Sequence, residues 1–197
     1  MIDSAVAAAL TDAVRALEKR SCAEVVIEIR SRSGSYAHAD ARFASLVAVL
    51  ALIVLLFSPW TFQPMWVVLD VIVAWILGHL AASKSDALRR VMTSERERVA
   101  QVHATASAVF HDRGVANTSA ETGVLVFLSM LERRLELVAD RGVLKAVPAD
   151  AWPQAMSNAT TTTMLETVHA LTPLLECHLP VREGDVDELC DVPFVSE

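Results

Sequence analysis

Charge is missing where a water-soluble chain would need it. Across residues 43–82 there is no Lys, Arg or Glu, and a single Asp, Asp70. Such a run has no polar face to turn toward water. A basic excess is also missing. The formal net charge is −7, and no basic stripe gathers to meet nucleic acid. Cysteine is scarce: Cys22, Cys177 and Cys190 are the only three. An odd count without CxxC spacing fits neither a disulfide framework nor a zinc ribbon, so the thiols are read as reduced. The first twenty residues are punctuated by Asp3 and Asp12 and lack a basic start ahead of an apolar core, which is not how a signal peptide reads. No GxSxG, HExxH or P-loop pattern occurs, which removes the commonest hydrolase and nucleotide-binding signatures.

What is present is grease, concentrated in one place. The chain is 53% hydrophobic, above the roughly 45–50% of an ordinary soluble protein, and the excess lies in the uncharged block. A bilayer core needs about 20 apolar residues per helix, and the block is about twice that. Ser-Pro-Trp-Thr-Phe-Gln-Pro at 58–64 puts two prolines in its middle, which disfavours one continuous helix. Trp60, Phe62 and Trp66 cluster there, as rings at a membrane–water boundary do. The block therefore reads as a transmembrane hairpin with spans at 43–60 and 64–82. A chain of 197 residues is too short to enclose two such helices as a core.

Arg30, Arg32 and Arg42 precede the spans, and Lys84, Arg89, Arg90, Arg96 and Arg98 follow them. The loop between is uncharged, so the positive-inside bias puts both flanks and both termini in the cytoplasm. Asp70 lies a little inside the second span. Its insertion costs up to about 2.5–3.5 kcal/mol at mid-membrane and less near the headgroups. It reads as a shallow residue on the loop side or a helix–helix contact, ahead of a functional intramembrane acid; His79 reads as interfacial.

The polar stretches belong to one domain. Ile2, Val6, Leu10, Ala13 and Leu17 recur at helical spacing behind a cap at Asp3 or Ser4. In residues 23–30, Val25, Ile27 and Ile29 alternate with Glu24 and Glu28, the pattern of a half-buried strand; the stretch 31–40 reads as a loop. Residues 87–92 suit a short interfacial helix whose arginines meet acidic headgroups. Ser94-Glu95-Arg96-Glu97 is a capping box opening a helix that Gly114 ends. Residues 123–130 are almost continuously apolar, like a central strand covered on both faces. Residues 134–140 alternate, with Leu-Glu-Arg-Arg at 131–134 as the hairpin connection. Asp150 is expected to cap a helix starting at Ala151, and Thr163 to cap another that Pro173 kinks or restarts. The acidic tail is expected to be loosely ordered. One strand before the spans cannot form a sheet alone, so residues 1–42 and 83–197 are expected to build a single α/β (α+β) sandwich, a small central sheet flanked by helices, with the hairpin 43–82 inserted.

AEVVIEIRSRSGSY, then RERV and ASAVFHDRGV, then TGVLVFLSMLERRLELVADRG, and finally HLP and GDVDELCD, resemble the TPM-domain family, named after thylakoid, bacterial and animal members. The similarity is to bacterial membrane versions with a two-span insertion after the first strand. It implies the α/β sandwich and a place in a bacterial inner membrane. Activities within the family diverge: a plant member is associated with acid phosphatase activity and photosystem repair, some members bind calcium, and an animal member is an auxiliary receptor subunit. The soluble branch carries a glycine-rich stretch after the strand pair; here that place reads LVADRGVLKAV, with only Gly142.

For chemistry, the strand-pair ends offer Arg133, Arg134, Asp140 and Arg141, and strand ends are where α/β sheets place ligands. Three guanidiniums suit phosphate or an acidic partner; surface salt bridging is the plainer reading. His38 with Asp40, and Glu176 with Cys177 and His178, are the only other local ligand groups, and neither has specific metal-site spacing. The expectation is a membrane-anchored, non-enzymatic interaction or accessory domain without a cofactor, its partners the lipid bilayer and another membrane protein. The alternative, from the resemblance alone, is a metal-assisted phosphatase using calcium or another divalent cation.

Overall fold

The computed structural model describes residues 3–60, 62–182 and 188–196. The chain divides into two compact units, one of residues 1–33 and 99–197, the other of residues 34–98.

The first unit is a sheet between helices. Helix α1 (Ser4–Glu18) starts where the Asp3 side chain accepts from the Ala5 amide, and it buries Leu10, Ala13, Val14 and Leu17. Strand β1 (Glu24–Arg30) runs parallel to β2 (Gly123–Ser129), with Glu28 opposite Phe127. Strand β3 (Arg134–Ala139) returns antiparallel to β2. Two short edge strands, β4 (Met156–Ser157) and β5 (Phe194–Ser196), complete the order β4-β3-β2-β1-β5. Side chains alternate across a strand, so the sheet feeds two cores. Val25, Ile27, Ile29, Val124, Val126 and Leu128 pack with the apolar stripes of α1 and α7 (Thr161–His178). Val26, Leu125 and Phe127 pack with Val102, Ala106, Val109 and Phe110 of α5 (Glu95–Asp112).

Several local expectations change. β1 is covered on both faces, and Glu24 and Glu28 are buried. No helix starts at Ala151. Pro148 and Pro153 bracket a stretch too short for one, and a proline pushes its predecessor out of helical geometry. The helix lies earlier, at α6 (Arg141–Ala146), capped by Asp140. Helix α7 is capped by Thr160, with Thr163 as the third residue of the box, and runs unbroken through Pro173. Its buried stripe continues on both sides of that proline through Leu171, Thr172 and Leu175, and this packing outweighs one lost hydrogen bond. In the tail, residues 183–187 lie outside the described residues, and Phe194–Ser196 joins the sheet.

The second unit is built on α2 (Ala37–Phe57) and α3 (Pro64–Ser83), both long and apolar enough to cross a membrane. Helix α2 begins six residues before the expected span, because Ala37-His-Ala-Asp-Ala is already helix-compatible and Asp40 in the first turn suits the helix dipole. It stops at Phe57, ahead of an extended Ser58 preceding a proline. The two helices meet through small residues: Ala44 and Ala48 on α2, Gly78 and Ala82 on α3. A Cβ at Gly78 would lie 3.0 Å from the Ala44 Cα, so glycine permits the close approach. The outer faces are apolar: Val54 is 68% exposed, Phe57 86% and Met65 78%, far more grease than a soluble surface carries contiguously. Helix α4 (Asp86–Met92) follows, capped by the Ser85 hydroxyl. The expected capping box opens α5: the Ser94 hydroxyl accepts from the Glu97 amide, and Glu97 accepts from the Ser94 amide.

Candidate functional site

The face of the sheet toward α5 becomes polar at the C-terminal ends of β1 and β2. Register places Ser196, Arg30, Ser129, Arg134 and Ser157 in one cross-strand row. The row behind it reads Phe194, Glu28, Phe127, Glu136.

Glu28 is the centre of the first cluster. Its carboxylate is fully buried. One oxygen accepts from Arg30 Nε at 3.1 Å and from the Ser196 hydroxyl at 2.5 Å. The other accepts from Arg113 Nε at 2.9 Å. Arg113 follows α5 and lies over the Phe194 ring, 3.9 Å from its centroid, a favourable cation–π position. Two arginines thus compensate a charge that would otherwise be costly in the core, and the arrangement ties β5 to the sheet.

The second cluster closes the end of β2. The Ser33 hydroxyl donates to the Ser129 hydroxyl at 2.7 Å, and Ser129 donates in turn to Glu132. Glu132 also accepts from the Ser33 amide at 3.0 Å, and the Thr105 hydroxyl donates to the Ser33 carbonyl at 2.7 Å. Two residues earlier on α5, His103 donates from Nδ1 to Glu136 at 2.5 Å. Its side chain is 69% exposed, that of Glu136 11%. A carboxylate behind Nδ1 fixes the ring and leaves Nε2 toward solvent, the orientation of an assisted base or ligand. Among the described residues no hydroxyl hydrogen-bonds to His103.

The four expected strand-end residues divide into two pairs. Arg133 and Arg134 lie at the start of β3, Asp140 and Arg141 beyond its end. Six residues of strand separate them by about 20 Å, so they form no single anion cradle. Arg133 adopts φ 50° in the β2–β3 turn, and its carbonyl accepts from Ala159. Arg134 has a buried Nε without a hydrogen-bond partner among the described residues. The Asp140 side chain accepts from the Arg141 amide at 2.7 Å as the cap of α6, and its other oxygen is buried without a hydrogen-bond partner among the described residues. Gly142 donates to the Glu121 carbonyl, and a Cβ there would lie 2.6 Å from that oxygen.

The other ligand candidates are engaged or dispersed. Asp40 is held by Arg89, Glu176 is paired with Arg20, and His38 stacks on Tyr36. Cys22 is buried, Cys177 and Cys190 are exposed, and among the described residues none of the three forms a disulfide. Among the described residues no group of three or more His, Cys, Asp or Glu side chains converges as a metal site. Asp70 is exposed on α3 and has no hydrogen bond or ion pair among the described residues.

Sequence reasoning missed both clusters, since Glu28 was assigned to a solvent face. A signal was available. A nearly all-apolar β2 is covered on both sides, and so its parallel neighbour is covered too.

No protein-family model matches the chain, and no curated protein matches it. Among solved structures, the NMR structure of BA42 protein from the psychrophilic bacterium Bizionia argentinensis is similar. The match covers 99% of this chain and 95% of that one, with a TM-score of 0.56 and 13% sequence identity. At that identity the likeness concerns the fold alone.

Proposed function

We propose that the chain is a membrane-anchored, non-enzymatic accessory domain of the TPM type, held in a bacterial inner membrane with both termini in the cytoplasm. One observation carries this reading. The two apolar helices are spliced between β1 and β2, which are hydrogen-bonded neighbours along their whole length. A chain that leaves the sheet after β1 must return to that sheet to lay β2. Two spans achieve this, whereas an odd number would strand the neighbours on opposite sides of the bilayer. The low burial of both helices, 17% and 11% over their most apolar windows, fits lipid as their surroundings. The polar clusters fit an interaction role: the buried Glu28 is held by Arg30 and Arg113, and among the described residues no hydroxyl hydrogen-bonds to the oriented His103.

Full-length protein should stay in the membrane pellet after alkaline carbonate washing and float with vesicles, and in mild detergent should turn over no phosphoester. Release by carbonate would defeat the anchoring. Phosphoester turnover that disappears in Asp140→Asn would replace the accessory role with hydrolysis.

A further inference from the structure

From the exposed flank of α3 we infer that Asp70 is the contact point for a transmembrane helix of another membrane protein, one presenting Lys or Arg at the same depth. This rests on the membrane reading above. Asp70 is the only formally charged residue between Arg42 and Lys84. It is exposed, while the side of α3 packed on α2 is marked by Gly78 and Ala82. The hairpin therefore does not use it internally, and it has no hydrogen bond or ion pair among the described residues. It sits six residues past Pro64, about 9 Å down the helix, in a hydrocarbon core about 30 Å thick. A carboxylate at that depth facing hydrocarbon is costly, and ionisable residues in spans are characteristically paired.

Charge complementarity chooses the occupant. A second copy inserted in the same orientation would bring Asp70 against Asp70, and this chain has no Lys or Arg within the spans to answer it. His79 lies nine residues further along α3, about 13 Å away, and is stacked on Trp75 with ring centroids 5.4 Å apart. A basic residue on a foreign helix is the complement the chain itself lacks. Interhelical polar contacts of this type direct association in lipid, where apolar side chains have no preference for one another over acyl chains.

The test uses the full chain in phosphatidylcholine vesicles, with a donor dye on the exposed Cys177 and Cys190. The probe is a single-span polyleucine peptide with one Lys at the depth of Asp70 and an acceptor dye at its end. The Lys peptide should associate at least tenfold more strongly than an all-Leu peptide, and Asp70→Leu should abolish that preference. Asp70→Lys should instead select a peptide carrying Asp. Equal association with the all-Leu peptide, or a Lys preference that survives Asp70→Leu, overturns the proposal. So does Asp70-dependent energy transfer between two copies without peptide, which assigns the face to self-association. Vesicle flotation is measured first: protein that fails to float overturns the membrane reading and this proposal together, whereas floating protein without selectivity overturns this proposal alone.

Discussion

Asp40 and Arg89 form a two-bonded ion pair, Nε to Oδ1 at 3.0 Å and Nη2 to Oδ2 at 2.9 Å. One residue lies in the first turn of α2 and the other on α4, so the pair closes the base of the apolar hairpin. Asp40 is 4% exposed. Its hydrogen bond raises the Arg89 guanidinium above its already high ordinary value. Arg89→Met takes the guanidinium fork from a buried carboxylate and should cost about 3–5 kcal/mol. Arg89→Lys keeps the charge but loses the fork and should recover only part. Combining Arg89→Met with Asp40→Leu should restore most of the loss. Melting temperatures of the three variants and the wild type in one detergent measure this, and a full cost that remains in the double variant would show that the pair is not the cause.

Removing the cation beside Glu28 should hurt more than removing the anion. Glu28 is fully buried, whereas the Arg30 and Arg113 side chains are 29% and 31% exposed. Without Glu28 the arginines can turn to water, so Glu28→Gln should cost about 1–2 kcal/mol. Arg113→Leu leaves the buried carboxylate half-compensated, at about 3 kcal/mol. Denaturant midpoints give the order, and the reverse order would contradict the burial argument.

Gly78 should resist enlargement. A Cβ there meets the Ala44 Cα at 3.0 Å and the Val47 Cβ at 3.1 Å, so Gly78→Leu forces α2 and α3 apart. The overpacking cost is about 1–3 kcal/mol. Melting in detergent should fall for Gly78→Leu and stay near wild type for Leu77→Ala, whose side chain is exposed.

Glu188 provides a pH handle. The Ser119 hydroxyl and amide both donate to its carboxylate, the amide at 3.0 Å. These bonds hold Glu188 below its ordinary value of 4.5. A depressed carboxylate contributes stability above its unfolded value, and the contribution is lost as pH falls through the folded one. Carbon-detected NMR titration should therefore find Glu188 ionising at lower pH than a free glutamate. Ser119→Ala should move the midpoint upward, and an unchanged midpoint would contradict the assignment.

Residues with one dominant local determinant were legible in the sequence. Asp3, Ser94 and Gly114 each satisfy a helix end, and the apolar run with its central prolines announces two long helices. The seven-residue β2 was legible because its apolar run has no interruption. Burial of Glu28 was not, since its partners Arg113 and Ser196 are 85 and 168 residues away in sequence, and alternation with valine and isoleucine looks the same whether the charged face meets water or arginine. Helix α6 escaped notice because six residues carry almost no periodic signal, and its cap, Asp140, stood out first as a ligand. The candidate site dispersed for a similar reason: adjacency in sequence at 133–141 spans the full length of a strand.

Labelling from the two sides of the membrane tests the central claim most directly. Intact spheroplasts would be treated with a membrane-impermeant maleimide, using Cys177 as one reporter and Ser4→Cys and Gln63→Cys in Cys177→Ser, Cys190→Ser backgrounds as the others. Gln63→Cys should react in intact cells, while Ser4→Cys and Cys177 should react only after lysis. Reaction of Ser4→Cys and Cys177 from opposite sides would contradict it, because β1 and β2 could not then share one sheet.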